Sequence, residues 1–176
     1  CRICGNSQLQ PVIDLGSQCL GGLFDDGRPQ NQLTTPVPLQ VVCCDPSANG
    51  CGFVQLRHSV PPEVMFQDYG YRSGLNDTMR HHLEGMAEEI ESRLGLKAGD
   101  IVVDIGANDG TTLLAYRESG LIRLRFEPSD AAVDAQKKGV RILRTFFGPE
   151  TGAADFKAAC PSRKARVVTS IAMFYD

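Results

Sequence analysis

The sequence predicts an α/β chain in two parts. A small, β-rich, metal-binding module spans 1–60, a segment and a helix at 61–98 pack on the next domain, and the first half of that domain, parallel and doubly wound, spans 99–176. Three observations carry this. Two cysteine pairs, each followed by glycine, sit in a stretch crowded with turn residues. The β-branched run Ile101–Ile105 stops abruptly in an acidic loop bearing glycines. From there on, strand-like and helix-like patterns alternate strictly, which is the signature of a parallel sheet covered by helices.

Cysteine placement supports the metal module. Of seven cysteines, Cys1, Cys4, Cys19, Cys43, Cys44 and Cys51 fall in the first third, and Cys160 stands alone. Disulfide pairing would leave one over. Cys1-x-x-Cys4-Gly5 and Cys44-x6-Cys51-Gly52 read instead as two knuckles about 40 residues apart, a spacing that suits structural zinc. Glycine lets the backbone wrap around the metal. Four thiolates, Cys1, Cys4, Cys44 and Cys51, make a tetrahedral Zn²⁺ site. Cys43 is the alternate at the third position, because neighbours in an extended 39–44 point to opposite faces. The competing reading is buried free thiols, or an oxidised pair in a secreted protein. The metal's task is structural: with Gly21-Gly22, Asp25-Asp26-Gly27, Pro36 and Pro38, the module has too little core to hold itself, and metal binding becomes folding energy. His58 is an alternative ligand that four cysteines make unnecessary.

Short apolar runs bounded by turn signals predict strands over Pro11–Leu15, Leu39–Cys44 and Gly52–Leu56. Ser59–Pro62 is a break, and Val64–Gly74, aromatic and without either period, reads as a loop. Asn76 or Asp77 caps a helix running to Leu94, since Met79, Leu83, Met86, Ile90 and Leu94 recur every three or four residues while Arg80, Glu84, Glu88, Glu89 and Glu91 take the other face. Gly95 ends it. After the hinge Lys97–Asp100 come strand Ile101–Ile105, helix Thr111–Ser119, strand Arg123–Phe126, helix Asp130–Lys138, strand Val140–Thr145, helix Thr151–Ala159 and strand Arg166–Ile171.

The loop Gly106–Gly110 lies at the carboxyl end of a strand that reads as buried on both faces, where open α/β sheets bind ligands. A dinucleotide fingerprint needs glycines at 106, 108 and 111, but Asn108 and Thr111 occupy the last two. What remains is Asp104 at the strand end, Gly106 and Gly110 permitting close approach, and Glu127 ending the next strand, suited to accept both hydroxyls of a ribose. A ligand with an adenosine and no pyrophosphate fits that pair.

Asp104-Ile105-Gly106-Ala107-Asn108-Asp109-Gly110 with Glu127-Pro128-Ser129 resembles motifs I and II of class I methyltransferases that use S-adenosylmethionine. Taken with Cys1-x-x-Cys4-Gly5, Asp14-Leu15-Gly16, Cys51–Leu56, Asp68–Gly74 and Phe146-Phe147, the whole chain resembles the zinc-containing sugar C-methyltransferases, which methylate a carbon of a nucleotide-linked keto-deoxysugar. The resemblance implies a Rossmann-like class I methyltransferase domain, here partial, with S-adenosylmethionine and structural Zn²⁺ as cofactors and a nucleotide sugar as substrate. It implies that Gly106, Asn108 and Gly110 line the methionine and ribose part, beside Asp104. Glu127 would hold the ribose hydroxyls, Pro128 and Ser129 would flank the adenine, and Tyr71, Ser73 and Gly74 would close over the sulfonium, with Tyr69 or Tyr71 facing the substrate. An aromatic, acid-lined pocket suits a sulfonium, and backbone N–H groups of the loop suit the methionine carboxylate.

The implied chemistry removes a proton beside a ketone and transfers methyl to the enolate, so a general base and an enolate stabiliser are needed. The family's base is a histidine shortly after the fourth strand. Tyr175 takes that place here, which makes Tyr71 and Tyr175 the catalytic candidates.

Several classes are disfavoured. No apolar run approaches the roughly 20 residues of a membrane span, and nothing at the start resembles a signal peptide. A net charge of −3 with no basic run leaves no footprint for nucleic acid. Neither membrane nor nucleic acid is expected as a partner, and the expected location is cytoplasmic. The chain opens on Cys1 and closes on Ile171–Asp176 like a strand entering a loop, so it reads as a fragment, incomplete for catalysis. The alternative reading is an inactive, zinc-stabilised Rossmann-like binding or scaffold module. His81 and His82 lie on the capped helix beside Arg80, where a solvated face accounts for at least one of them and a catalytic role for either is the minor alternative; Cys19 and Cys160 read as buried small hydrophobes. Tyr71 fits packing and chemistry equally.

Overall fold

The structure, a computed structural model, describes residues 1–21, 36–66, 70–136, 140–148 and 151–173, with backbone alone at 134–136. The chain divides into two units, Cys1–Met65 and Phe66–Asp176. The expected joining segment, 61–98, is thus shared between them, and its long helix belongs to the second.

In the first unit, β1 (Leu9–Gln18), β2 (Val37–Cys44) and β3 (Val54–Leu56) form an antiparallel sheet in that order. Strand β1 runs past the expected end at Leu15. It continues because the register slips between Asp14 and Ser17, where Gly16 takes a φ of +68° and donates its N–H to Asp14 Oδ1 at 2.8 Å. A bulge with glycine in the left-handed region keeps the strand paired while turning it. Cys19, just beyond this strand, is exposed and not the buried hydrophobe expected, since among the described residues nothing covers it. Among the described residues the unit buries only Val42, Cys44 and Gln55. The turns expected at Gly22 and Asp25–Gly27 lie outside the described residues.

A short helix, α1 (Pro62–Phe66), replaces the start of the expected 64–74 loop. Proline at its first position costs no hydrogen bond, since that N–H has no partner in a helix anyway.

The second unit opens on α2 (Asp77–Leu94), whose ends match the sequence expectation. Asn76 Oδ1 accepts from Met79 N at 3.2 Å, and Gly95 closes the helix at φ 55° with its N–H on Glu91 O. Leu83 and Ala87 form its buried stripe. Then come β4 (Ile101–Ile105), α3 (Thr111–Ala115), β5 (Ile122–Phe126), α4 (Ala131–Gln136), β6 (Arg141–Leu143), α5 (Gly152–Ala159) and β7 (Val167–Ser170). The strands lie parallel in the order β6-β5-β4-β7. Alternate residues of β4 feed two cores, as a period of two requires. Val102 packs with Ala87, Leu113, Tyr116 and Leu121. Ile101 and Val103 pack with Leu124, Phe126 and Cys160. Cys160 is buried as expected, and the sheet is covered on both faces.

Several elements are shorter than the sequence pattern. Helix α3 stops at Ala115 instead of Ser119 because Glu91, on α2, supplies the acceptors that further helical carbonyls would have offered. Its Oε2 takes the N–H of Arg117 at 3.0 Å and its Oε1 that of Glu118 at 2.7 Å. Strand β6 keeps only Arg141–Leu143 of the expected 140–145, the stretch in register with β5. Helix α4 begins at Ala131, capped by Ser129 Oγ at 3.2 Å. Among the described residues no helix is long and apolar enough to cross a membrane.

Removing the Glu91 carboxylate strands two backbone donors, so Glu91→Ala is expected to lower the unfolding free energy by roughly 1–3 kcal/mol. Urea denaturation measures this, and an unchanged midpoint would show that water replaces the carboxylate at no cost.

Candidate functional site

The sulfurs of Cys1, Cys4, Cys44 and Cys51 lie within 4.8 Å of one another. Two edges of the group, Cys1–Cys51 at 3.7 Å and Cys4–Cys44 at 3.6 Å, match the edge of roughly 3.8 Å that a tetrahedron with Zn–S of about 2.3 Å requires. The two knuckles repeat one geometry. Gly5 N donates to Cys1 O at 3.0 Å and Gly52 N to Cys44 O at 3.1 Å, and both glycines sit at φ 76°. In each, a sulfur accepts a backbone N–H: Cys1 from Ile3 at 3.4 Å and Cys44 from Cys51 at 3.3 Å.

Strand alternation decides between the adjacent cysteines. Cys44 is buried on the face of Val42, whereas Cys43 turns away and directs its thiol to Gly52 O at 3.5 Å. His58 stands outside the cluster. The Asn6 backbone and the Cys44 thiol beside it bring the Cys4 thiol down to about 7, into the range where thiolate, the ligating form, is abundant at neutral pH. Burial holds the Cys44 thiol up. With four protein ligands and no open position, the cage suits a structural metal.

Two residues that the sequence pattern does not single out brace the cage. Arg2 gives its backbone N–H to Gln55 Oε1 at 3.1 Å, and its Nη1 to Leu56 O at 2.7 Å, which ties the first knuckle to β3. Gly50 lies under the second knuckle. A Cβ there would meet the Asp45 carbonyl and come within 2.6 Å of Cys44 Sγ.

The second unit holds a cavity of about 210 Å³ lined by Tyr71, Ser73, Met79, Leu83, Asp104, Gly106, Ala107, Asn108, Thr112, Ile171 and Ala172. It lies where strand order reverses, between β4 and β7, the position at which doubly wound sheets take ligands. Asp104, at 2% exposure, accepts from Thr169 Oγ1 at 2.6 Å. Burial pushes its carboxyl up to about 6, and the Glu127 charge adds to the rise, while the Thr169 hydrogen bond and the Arg125 charge oppose it.

The cavity thus brings together Tyr71, Ser73, Asp104, Gly106 and Asn108 of the residues expected at a cofactor site. Gly74, Gly110, Glu127, Pro128 and Ser129 are not among its lining residues. Gly110, at φ 81°, opens α3. Both oxygens of Glu127 hold backbone donors, Asn108 N at 2.6 Å and Ser129 N at 2.9 Å; a carboxylate oxygen with two lone pairs keeps capacity for one acceptor contact more. Tyr69 and Tyr175 lie outside the described residues. His81 and His82 are exposed.

The sequence reading missed Met79 and Leu83 as lining residues, because their helical spacing is that of a core stripe. It also missed Thr169, which carries no motif, and Met173, whose side chain packs on Gly106 so closely that a Cβ there would collide with it. Asp109, quoted in the loop but given no role, accepts from Gly74 N at 2.8 Å and Thr111 Oγ1 at 2.6 Å.

Residues 1–66 match a family described as "Putative zinc binding domain", which together with the four-thiol cluster supports zinc as the metal. The chain is 30% identical over 153 residues to the C-methyltransferase NovU of Streptomyces niveus, a match covering 86% of this chain and 36% of that protein. The chain therefore spans about a third of the length of the curated relative it matches.

Elemental analysis is expected to find about one zinc per chain, as a four-thiolate site takes; Cys44→Ser and Gly50→Ala should lower it and Cys43→Ser should not. Equal loss from Cys43→Ser would reassign the ligand.

For Asp104, a carboxyl raised from 3.8 to about 6 on folding contributes stability that is complete below pH 4 and lost as pH climbs through 6. Asp104→Asn should therefore stabilise the protein at pH 8 by about 2–3 kcal/mol, and by nothing near pH 4. Equal effects at both pH values would contradict the burial cost.

Proposed function

We propose, with the zinc-containing C-methyltransferase family supported by the zinc-domain match and the similarity to NovU as premise, that this chain contributes the zinc module and the cofactor site of an S-adenosylmethionine-dependent methyltransferase. The observation that carries the reading is the cavity at the switch point, with a buried carboxylate on one wall and a glycine-bearing loop on another. When bound, S-adenosylmethionine supplies a methyl group on a cationic sulfur, an electrophile for a carbanionic carbon. Asp104 gives a cationic ligand a charge partner in a site of low dielectric, where pairing is strong. Gly106 leaves the backbone open to close approach at the end of β4, and Asn108 holds the loop by donating its N–H to Glu127.

The acceptor in this reading is a carbon beside the ketone of a nucleotide-linked keto-deoxysugar. A base takes the carbon's proton, and the electron pair passes into the carbonyl oxygen to give the enolate that is methylated. Tyr71 lines the cavity yet is 47% exposed, so its phenol suits the substrate side, as donor to the enolate oxygen. Tyr175 is the proposed second catalytic group. A four-thiolate zinc cage with Cys19, Cys43 and Cys160 outside any disulfide suits a reducing compartment, and the cytoplasm is the proposed location.

Calorimetry of the full-length protein with S-adenosylhomocysteine tests the cofactor reading. Saturable binding in roughly the micromolar-to-millimolar range is expected, and no heat at millimolar ligand would sink it. With S-adenosylmethionine, whose sulfonium is cationic, affinity should rise as pH climbs through about 6, because Asp104 ionises there.

A further inference from the structure

The cavity's volume, about 210 Å³, is below the roughly 300 Å³ at which pockets for drug-sized ligands begin, so it gains room for a ligand of cofactor size where a wall can give way. Most of the walls cannot. Met79 and Leu83 sit on α2, whose Leu83 and Ala87 are fully buried. Asp104 ends the central strand, and Thr112 lies on α3 beside the buried Leu113. Two walls remain, Ile171–Ala172 beyond the end of β7 and Tyr71–Gly74; the second is a strap leading into a 3-10 turn, Ser73–Leu75, in which no residue is buried. Segments held by hydrogen bonds in place of apolar burial occupy the low end of local stability.

Among the described residues, three hydrogen bonds run between the strap and the glycine loop. Asn108 Nδ2 donates to Tyr71 O at 3.0 Å, Ser73 N donates to Asn108 Oδ1 at 3.0 Å, and Gly74 N donates to Asp109 Oδ2 at 2.8 Å. Two of the three use the two ends of one carboxamide. Gly74 makes the fit close, since a Cβ there would come within 2.8 Å of Asp109 Oδ2 and Thr111 Oγ1. Farther out, Arg72 and Asp130 pair at 2.9 Å with Asp130 half exposed, a contact that solvent screens. Asn108 itself is in the left-handed region at φ 51°, which asparagine tolerates better than most residues. Its backbone N–H meanwhile holds Glu127, so one residue joins the strap to the acid that ends β5.

We propose that Asn108 is a positioning residue: its carboxamide clamps the strap Tyr71–Gly74 as the movable wall of the cavity, and ligand enters and leaves by release of that clamp. The gating part rests on the cofactor reading above; the clamp itself does not.

Asn108→Gly is the discriminating variant, because glycine accepts the positive φ and keeps the N–H to Glu127 while removing both strap bonds. In the full-length, zinc-loaded protein without ligand, amide hydrogen exchange across 71–75 should accelerate about tenfold or more, as loss of two hydrogen bonds implies. Asn108→Asp, which keeps the acceptor and loses the donor, should fall between. Surface plasmon resonance with S-adenosylhomocysteine should then give association and dissociation both about tenfold faster, since the same release governs entry and exit. Exchange across 71–75 that is the same in wild type and Asn108→Gly would overturn the clamp. Faster exchange with an unchanged dissociation rate would overturn the gating. Failure of the wild type to bind S-adenosylhomocysteine would overturn the cofactor reading and the gating with it, and the exchange rates would still decide the clamp.

Discussion

The two parallel partners of β4 are β5 and β7, and they lie on its opposite edges. That reversal fixes where the second unit can hold a ligand, because doubly wound sheets open a crevice at the strands' carboxyl ends where strand order reverses. Most lining residues reach the cavity from a neighbour of this point: Asp104 and the loop from β4 itself, Ile171 and Ala172 from the end of β7, Met79 and Leu83 from α2. The constraint also explains the carboxyl of Asp104. A group at the end of a strand buried on both faces is dehydrated by the same packing that holds the sheet, so its ionisation works against folding. Sites that set stability against charge in this way are where ligand chemistry concentrates.

The first unit meets a different constraint. With Val42, Cys44 and Gln55 alone buried among its described residues, a three-stranded sheet cannot rely on apolar burial. Bound zinc in small modules contributes about 10 kcal/mol or more, which is on the scale of a whole domain's stability. The cage is built accordingly. Its sulfurs come from two turns that share one φ and one hydrogen-bonding pattern, and Arg2, Gln55 and Gly50 tie those turns to the sheet.

Elements whose determinants are local were legible in the sequence. The cap at Asn76, the stop at Gly95, the strand Ile101–Ile105 and the choice of Cys44 over Cys43 follow from a side-chain acceptor, a glycine in the left-handed region, β-branching and the period of two. What escaped depends on partners distant in the chain. Helix α3 ends where Glu91 on α2 captures Arg117 and Glu118, and nothing in residues 111–119 announces that. Met79 and Leu83 have the spacing of a core stripe whether the space beside them is filled or hollow. The exposure of Cys19 and the need for glycine at 50 depend on what packs against them. Five of the ten residues expected at the cofactor site line one cavity. For Glu127 the motif located the residue, but not the two backbone N–H groups its oxygens hold.

The contact at Glu91 bears on how the second unit can deform. Glu88 and Glu91, on the last turns of α2, grip Arg117 and Glu118 through four hydrogen bonds, which anchors that end of the helix to the chain beyond α3. The opposite end carries Met79 to the cavity and starts at Asn76, the cap joining helix to strap. In the gating proposed above, α2, held at its far end, is the fixed doorpost and the swing of 71–75 turns about Asn76. Cap geometry at a single asparagine thus doubles as the hinge pin, and the arc through which Tyr71 can travel is set by the short run of chain between the hinge and the aromatic ring.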